Sequence, residues 1–410
     1  MNRYIFYPRR HNESIKNSSQ STSVFKIAGL TGAGALVKPT GAPAEASSDT
    51  VGTRPFGRSG IQVSMLSLGG MFDIPNNQLL LRQALRWGVT YWDTADCYGG
   101  GRSEKGIGKF FRRYPEARKK IFLVTKSDDR DPDGMTRLLN RSLDRMETSY
   151  IDLYFVHGVS SIYEIDDDTR KWAERTKAEG KIRLFGFSTH SNMDECLMDA
   201  SKLGWIDGIM MTYNYRLMHR PRMKAAVEAC RKAGIGLTAM KTQGGGQVRT
   251  HTQTEIDMAG RFVQKGFTDK QAKLKAVWEN PAIASICSDM PNLTILAANV
   301  SAALDRTRLS NSEIRLFRRY AEKTRSDYCA GCSHICENLL TGPVPVGDIM
   351  RYLMYDREYG DHHRARELFG RLPADLREQL SKMDFRAAEQ ACPRNIAIGR
   401  LVREACQELV

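Results

Sequence analysis

Four side chains with complementary acid–base chemistry stand out in the first half of the chain. Asp93 and Tyr98 follow one short apolar run, Lys126 follows the next, and His157 ends a third. An ammonium beside a phenol favours the phenolate through its charge and by donating a hydrogen bond. Lys126 is therefore predicted to lower the pKa of Tyr98 from its usual value of about 10. Asp93 would pair with the ammonium, which is costly to bury alone.

Taken together, these groups predict proton transfer at a carbonyl oxygen. Tyr98 would act as general acid or base, and His157 would orient the carbonyl. The reaction that suits them is protonation of the oxygen as a hydride reaches the carbon, or the reverse in alcohol oxidation. The substrate would be a small carbonyl compound or alcohol.

The elements that must position these residues alternate regularly from residue 53 to residue 309. Short β-branched runs alternate with longer amphipathic segments, which is typical of repeated βα units. The predicted strands are 65–68, 91–93, 121–125, 153–157, 182–187, 208–212, 236–241 and 284–287. Eight units predict an α/β fold, a (β/α)8 TIM barrel with its active site at the C-terminal ends of the strands. Residues 243–266 interrupt the alternation, as a loop over the site or a plain turn.

The remaining segments predict two further regions. Residues 310–410 are expected to form a small, mostly helical, cysteine-containing domain, which we call the C-terminal tail. Residues 1–46 carry basic side chains, then an apolar run at 27–37 and two A-x-A sites, the order of an export signal. The apolar start is similar to a twin-arginine (Tat) signal, although Ser21 and Thr22 stand where the arginines belong. The segment is either such a signal, which implies a periplasmic protein, or a flexible cytoplasmic extension.

Composition excludes several classes of protein. The 410 residues are 41% apolar and 9% aromatic, which is enough for a sizeable core. No apolar run approaches the roughly 20 residues that span a bilayer, so no integral membrane segment is expected. The net charge of +14 suits an anionic cofactor. Without a basic stripe interleaved with aromatic residues, nucleic acid is not an expected partner.

The motifs around the four residues resemble those of the aldo/keto reductase family. Residues 92–99, WDTADCYG, are similar to the family's DTAxxYG segment, and residues 58–64, RSGIQVS, resemble its N-terminal strand pair. Residues 124–126, VTK, and 152–157, DLYFVH, complete a resemblance that covers residues 53 to 305. It implies a barrel that binds NAD(P)H in extended form without a Rossmann domain. It also implies that Asp93, Tyr98, Lys126 and His157 form a catalytic tetrad.

The same resemblance implies a nicotinamide site, with departures from the family pattern. Residues 186–189, GFST, resemble the family's GxSN, so Ser188 should contact the nicotinamide amide while Thr189 replaces the Asn. Met210 stands where the family has an amide-binding Gln. Met240, followed by Lys241, stands where an aromatic residue stacks on the ring. A thioether can still pack against a flat ring.

Residues 288–299 bear on the choice of cofactor. Family members that prefer NADP(H) carry Lys and Arg around the adenosine 2'-phosphate, whereas this segment begins Ser288-Asp289 and has Ile295 at the second basic position. A like-charge contact with Asp289 predicts NAD(H) over NADP(H). Ser288 and Asp289 are expected to contact the cofactor, and Asn299 would reach the adenine.

Cysteines of the C-terminal tail have the spacing of metal ligands. Cys329, Cys332 and Cys336 form C-x2-C-x3-C, and Cys392 precedes a proline, as in bacterial iron–sulfur motifs. The region resembles the ferredoxin-like tail of some bacterial aldo/keto reductases, which implies one 4Fe-4S cluster. The alternatives are zinc, with His334 in place of one thiol in a Cys3His site, or cysteines that are unligated or disulfide-linked. A cluster would be structural or would exchange electrons with a redox partner protein.

Two functions follow from these features. The first is an NAD(P)-dependent oxidoreductase of the aldo/keto reductase type. The alternative is a nucleotide-sensing or regulatory module built on a reductase barrel, which the methionines at the nicotinamide site favour and the four complementary side chains oppose.

Overall fold

An antiparallel hairpin precedes the barrel and closes one end of it. The structure, a computed structural model, describes residues 50–245 and 253–410, so the predicted export signal lies outside the described residues. Strand β1 (Thr53–Pro55) pairs with β2 (Gln62–Ser64). Phe56 follows β1, is fully buried inside the barrel, and packs with its ring centroid 5.4 Å from that of Phe122. Because this aromatic plug fills the N-terminal end, a ligand can enter only at the other end.

Eight parallel strands form the closed barrel, which confirms the predicted fold class. The strands are β3 (Leu66–Gly69), β4 (Tyr91–Asp93), β5 (Phe122–Ser127), β6 (Ile151–Val156), β7 (Ile182–Thr189), β8 (Gly208–Thr212), β9 (Gly236–Met240) and β10 (Ile283–Asp289). They pair in chain order, and β10 closes the ring against β3. We call the C-terminal ends of these strands the barrel mouth.

Helices surround the barrel between the strands. They are α1 (Gln78–Arg86), α2 (Arg102–Arg113), α3 (Pro132–Met146), α4 (Asp167–Ala178), α5 (Met193–Leu203), α6 (Pro221–Lys232), α7 (Gln253–Gln264), α8 (Asp269–Trp278) and α9 (Leu293–Leu304). Helix α7 lies in the segment predicted as a loop or turn. Its apolar Met258 and Phe262 are four residues apart, on one face of the helix, and both are buried. This apolar spacing is short, and the glycines before it favour a loop.

The C-terminal tail begins at Ser310 and is helical. Its helices are α10 (Asn311–Lys323), α11 (Ser333–Glu337), α12 (Val346–Arg357), α13 (His362–Gly370), α14 (Ala374–Leu380), α15 (Arg386–Ala391) and α16 (Ile398–Glu408). Ser310 and Glu313 form a reciprocal capping box that fixes the start of α10. None of the helices in the described part of the chain is long and apolar enough to cross a membrane.

Polar and aromatic contacts hold the tail against the barrel mouth. Asn214, after β8, donates to the Tyr328 hydroxyl at 3.0 Å, and Arg216 donates to the carbonyl of Thr324 at 3.1 Å. The ring of Phe317 packs 5.2 Å from that of Tyr215. These three barrel residues follow β8, so the tail covers part of the end at which the active site must lie.

Candidate active site

The centre of the site is a buried ion pair on adjacent strands. Asp93 is the last residue of β4, and Lys126 lies near the end of β5. The Lys126 Nζ donates to the two carboxylate oxygens of Asp93 at 2.6 and 2.7 Å, and to the carbonyl of Thr94 at 2.7 Å. The side chains of Lys126 and Asp93 are only 1% and 3% exposed. Burial raises the pKa of Asp93, and the charge of Lys126 opposes that rise.

Tyr98 reaches the ion pair from a glycine-rich turn. It begins the 3-10 turn Tyr98–Gly101, in which all three glycines have positive φ. A Cβ at Gly101 would lie 2.3 Å from the guanidinium carbon of Arg145. That guanidinium donates to the carbonyl of Asp96 at 2.9 Å and pairs with Glu104 at 3.0 Å. The turn therefore needs glycine for both its conformation and its packing.

The environment of Tyr98 corrects one expectation. The Lys126 Nζ lies 5.0 Å from the centroid of the Tyr98 ring, but its three hydrogens point to Asp93 and Thr94. Burial and the Asp93 carboxylate raise the pKa of Tyr98 well above its ordinary value. Lys126 does not make the phenol acidic in this arrangement, because its charge is already neutralised by Asp93. Tyr98 is therefore protonated at neutral pH.

His157 completes the group and is held by a carboxylate that the sequence analysis missed. It follows β6, and its ring centroid lies 5.9 Å from that of Tyr98. Its Nδ1 lies 2.7 Å from the Asp128 Oδ1 and 3.8 Å from the Cys97 Sγ. Burial works to raise the pKa of Asp128, but its hydrogen bond with His157 brings that pKa below its usual value. The structure thus brings all four predicted tetrad residues together.

The residues expected at the nicotinamide lie on β7 to β9. Ser188 is buried, and its hydroxyl oxygen accepts from the Gly158 backbone N–H at 3.1 Å, which leaves its own hydrogen free to donate. Thr189 donates to the Ser191 carbonyl at 2.7 Å and so stabilises the turn after β7. Met210 and Met240 pack into the barrel interior, 2% and 9% exposed.

The ends of β9 and β10 carry charged and polar side chains at the barrel mouth. Lys241 follows β9 with φ 54°, and its Nζ lies 4.5 Å from the ring centroid of Tyr355 in the tail. Asp289 ends β10. Protein atoms around its side chain raise its pKa to about 7, against the opposing charges of Lys241 and Arg364. Asn299 donates to the Ser288 hydroxyl at 3.0 Å, a pairing between two residues that were expected to contact cofactor.

A cavity of about 280 Å³ separates the barrel mouth from the tail. On the barrel side it is lined by His190, which follows Thr189, and by Lys241; Arg351 of α12 lines it from the tail. The His190 Nδ1 lies 2.9 Å from the Thr212 hydroxyl oxygen. Burial and the charges of Arg351 and Lys241 lower the pKa of His190 well below its ordinary value, so the ring is neutral. Lys241 was among the predicted cofactor residues, whereas His190 and Arg351 were not. Of these two, His190 alone had a local signal, as a polar residue just after a strand.

The tail cysteines meet at a second, smaller cavity. Cys329, Cys332, Cys336 and Cys392 all line it. Among the described residues, no three of these sulfurs lie within 4.8 Å of one another. Burial raises the pKa values of Cys329 and Cys336 to about 12, and neighbouring cysteines add to both shifts. Gly331, between the first two cysteines, has φ 73°, and a Cβ there would lie 2.4 Å from the His190 carbonyl oxygen.

Comparisons with known proteins agree with this geometry. The model of the aldo/keto reductase family matches residues 65–298. The uncharacterized oxidoreductase YqkF of Bacillus subtilis is 26% identical over 301 residues, which cover 66% of this chain and 96% of that protein. The aldo-keto reductase yakc (NADP(+)) of Schizosaccharomyces pombe is 30% identical over 215 residues, which cover 48% of this chain and 60% of that protein.

Solved structures show the same fold. The aldo-keto reductase AKR11C1 from Bacillus halodurans, in its holo form, superposes with a TM-score of 0.55 at 23% identity, covering 66% of this chain and 96% of that one. The thermostable aldo-keto reductase Tm1743, in complex with the inhibitor epalrestat, gives a TM-score of 0.55 at 25% identity, with 65% and 98% covered. The family match spans more than half of the chain and contains the buried ion pair, Tyr98 and His157. The chain therefore belongs to the aldo/keto reductase family of oxidoreductases.

Proposed function

We propose that this protein reduces a carbonyl compound, or oxidises the corresponding alcohol, with NAD(P)(H), and that Tyr98 transfers the proton. The observation that carries the proposal is the placement of the protonated Tyr98 phenol beside a buried Lys126–Asp93 pair and within ring contact of His157. When bound, the nicotinamide supplies or accepts the hydride. The residues fit such a ring, because Ser188 keeps a hydroxyl hydrogen that can be donated to its amide, and Met210 and Met240 can pack against it.

Each side chain then has a separate task. Tyr98 donates its proton to the carbonyl oxygen, and its raised pKa keeps that proton available at neutral pH. Asp128 engages the His157 Nδ1, which leaves Nε2 to face the carbonyl. The Lys126–Asp93 pair lies beneath the Tyr98 ring, with the Lys126 Nζ 5.0 Å from the ring centroid, and holds the phenol in place beside the carbonyl.

The preferred cofactor on this proposal is NAD(H). Residues 288–299 contain no Lys or Arg, so no side chain of this segment would neutralise a 2'-phosphate. Asp289 adds repulsion, but with a pKa of about 7 it is only partly charged at neutral pH. Titration of intrinsic fluorescence with NADH and with NADPH tests the preference. We expect tighter binding of NADH, and equal affinities would exclude it.

We propose that the tail holds one 4Fe-4S cluster. A tetrahedral zinc site with Zn–S bonds of about 2.3 Å requires sulfurs about 3.8 Å apart, whereas no three of these four sulfurs lie within 4.8 Å of one another. A larger cluster suits the spacing, with Cys329, Cys332, Cys336 and Cys392 as its ligands. The buried thiols must lose their protons to bind it. Metal analysis of anaerobically purified protein should find about four iron atoms per chain; one zinc and no iron would overturn the assignment.

The location of the protein and the alternative function have separate tests. Export by the Tat-like segment predicts a shortened periplasmic form in the native host, and only full-length cytoplasmic protein would exclude it. A panel of aldehydes, ketones and alcohols with NADH tests the oxidoreductase directly. Tight NADH binding with no turnover of any panel member would instead identify a nucleotide sensor.

A further inference from the structure

Arg364 of α13 forms no salt bridge with a carboxylate in the described part of the chain. Its guanidinium carbon lies 5.1 Å from the centroid of the Tyr355 ring. Within the described residues its side chain makes no hydrogen bond or ion pair, and the buried Nε lacks an acceptor. A buried N–H without an acceptor is costly, so the position suggests a ligand.

Two further cations approach the same phenol. The Lys241 Nζ lies 4.5 Å from the centroid of the Tyr355 ring, and Arg351 lies one helical turn before Tyr355 on α12. Burial would raise the pKa of Tyr355, but Lys241, Arg351 and Arg364 together lower it to about 8. We call these three residues the cation cluster.

The carboxylates nearby do not neutralise the cation cluster. Asp348 pairs with Arg351 at 2.9 Å. Asp289 faces Lys241 and Arg364, whose charges oppose the rise in its pKa, and Asp361 adds to that rise. Neither Lys241 nor Arg364 forms a salt bridge with a carboxylate in the described part of the chain, so an anionic ligand can pair with both.

The cation cluster lies beside the catalytic residues. Asp289 pairs in register with Gly69, which pairs in turn with Asp93, so these three residues lie at one level of the barrel mouth. The positive charge of Arg364 also lowers the pKa of Tyr98, in opposition to burial. One small molecule could therefore place its carbonyl oxygen against Tyr98 and an anionic group against Arg364.

We propose that Arg364, assisted by Lys241, binds an anionic group of the substrate, a carboxylate, while Tyr98 contacts its carbonyl oxygen. The tail thereby determines specificity for carbonyl compounds that carry a carboxylate. This inference rests on the proposed function for the role of Tyr98. The pyrophosphate of the cofactor also carries anionic oxygens that Arg364 could bind. The experiment distinguishes a substrate carboxylate from the cofactor pyrophosphate.

The test compares para-carboxybenzaldehyde with its neutral methyl ester in the full-length enzyme. Arg364→Gln should lower kcat/KM for the carboxylate about 10- to 100-fold, the effect of one lost charged hydrogen bond, and change it less than about twofold for the ester. Arg364→Lys should recover part of the loss. Arg366→Gln, on the exposed side of the same helix, is the matched control and should change neither substrate.

Other outcomes overturn the inference. An equal fall for both aldehydes, together with weaker NADH binding by fluorescence, would assign the anion to the cofactor pyrophosphate. No change in either aldehyde would remove Arg364 from ligand binding. If the wild-type protein reduces neither aldehyde, the proposed reaction fails and calorimetry tests the anion site by itself. Binding of para-carboxybenzaldehyde to the wild-type protein but not to Arg364→Gln would support the anion site. Equal binding to both, or binding to neither, refutes the site.

Discussion

Replacing Lys126 with Met should lower the free energy of unfolding, because the substitution leaves the Asp93 carboxylate buried without a partner. The side chains of Lys126 and Asp93 are 1% and 3% exposed, and the ammonium donates three hydrogen bonds of 2.6 to 2.7 Å. Breaking a buried pair by removing one partner costs about 3–5 kcal/mol. That is a large part of the roughly 5–15 kcal/mol by which a typical protein is stable.

The matched control is the surface pair Lys202–Asp199. Its N–O distance is 2.7 Å, but the two side chains are 66% and 46% exposed. Lys202→Met should therefore cost less than about 1 kcal/mol. The double variant Asp93→Asn/Lys126→Met should recover much of the lost stability, since it removes both buried charges. Urea unfolding followed by circular dichroism measures all four proteins.

The pH dependence has a definite sign. Burial already raises the pKa of Asp93, and removal of Lys126 should raise it further. The destabilisation of Lys126→Met should therefore be greatest above that pKa and shrink as the pH is lowered, because Asp93 takes up a proton. A loss no larger than that of Lys202→Met, or a double variant no more stable than the single one, would refute the reasoning.

Three further predictions address the neighbouring groups. Asp128→Asn should lower kcat/KM for carbonyl reduction about tenfold, by releasing the Nδ1 of His157, while NADH affinity is unchanged; Asp129→Asn serves as its control, and equal effects would remove the positioning role. Because the pKa of Tyr98 is raised, kcat for reduction should not fall between pH 7 and about 9; an alkaline limb in that range that Tyr98→Phe abolishes would contradict this. Cys392→Ser should lower the iron content of anaerobically purified protein, whereas Cys406→Ser, which does not line the cysteine cavity, should retain it; equal iron in both would exclude Cys392 as a ligand.

The sequence was sufficient to predict the barrel and the convergence of the four residues proposed to be catalytic. Strand ends in a parallel barrel share one face, so Asp93, Lys126 and His157 had to approach one another once their strands were recognised. Local spacing also indicated that Cys329, Cys332 and Cys336 would meet. These predictions rest on periodicity and short-range geometry, which a sequence displays directly.

Sequence patterns did not predict which groups accept particular hydrogen bonds, or where the tail packs against the barrel. The acceptors of the three Lys126 hydrogens include the backbone carbonyl of Thr94, which no sequence pattern indicates, and the pKa of Tyr98 is raised by burial and Asp93 rather than lowered. The approach of Tyr355 to Lys241 joins residues far apart in the chain. It depends on how helix α12 packs over the barrel mouth, and amphipathic spacing does not specify that packing.

The most direct test of the proposed chemistry is the turnover of Tyr98→Phe. This substitution removes one hydroxyl and keeps the ring that contacts His157. With an aldehyde that wild-type protein reduces, kcat should fall about 10²- to 10⁴-fold while NADH affinity and unfolding midpoint stay within error of wild type. If Tyr98→Phe reduced the aldehyde at the wild-type rate, the proton would have to come from another group, and the proposed role of Tyr98 would be contradicted.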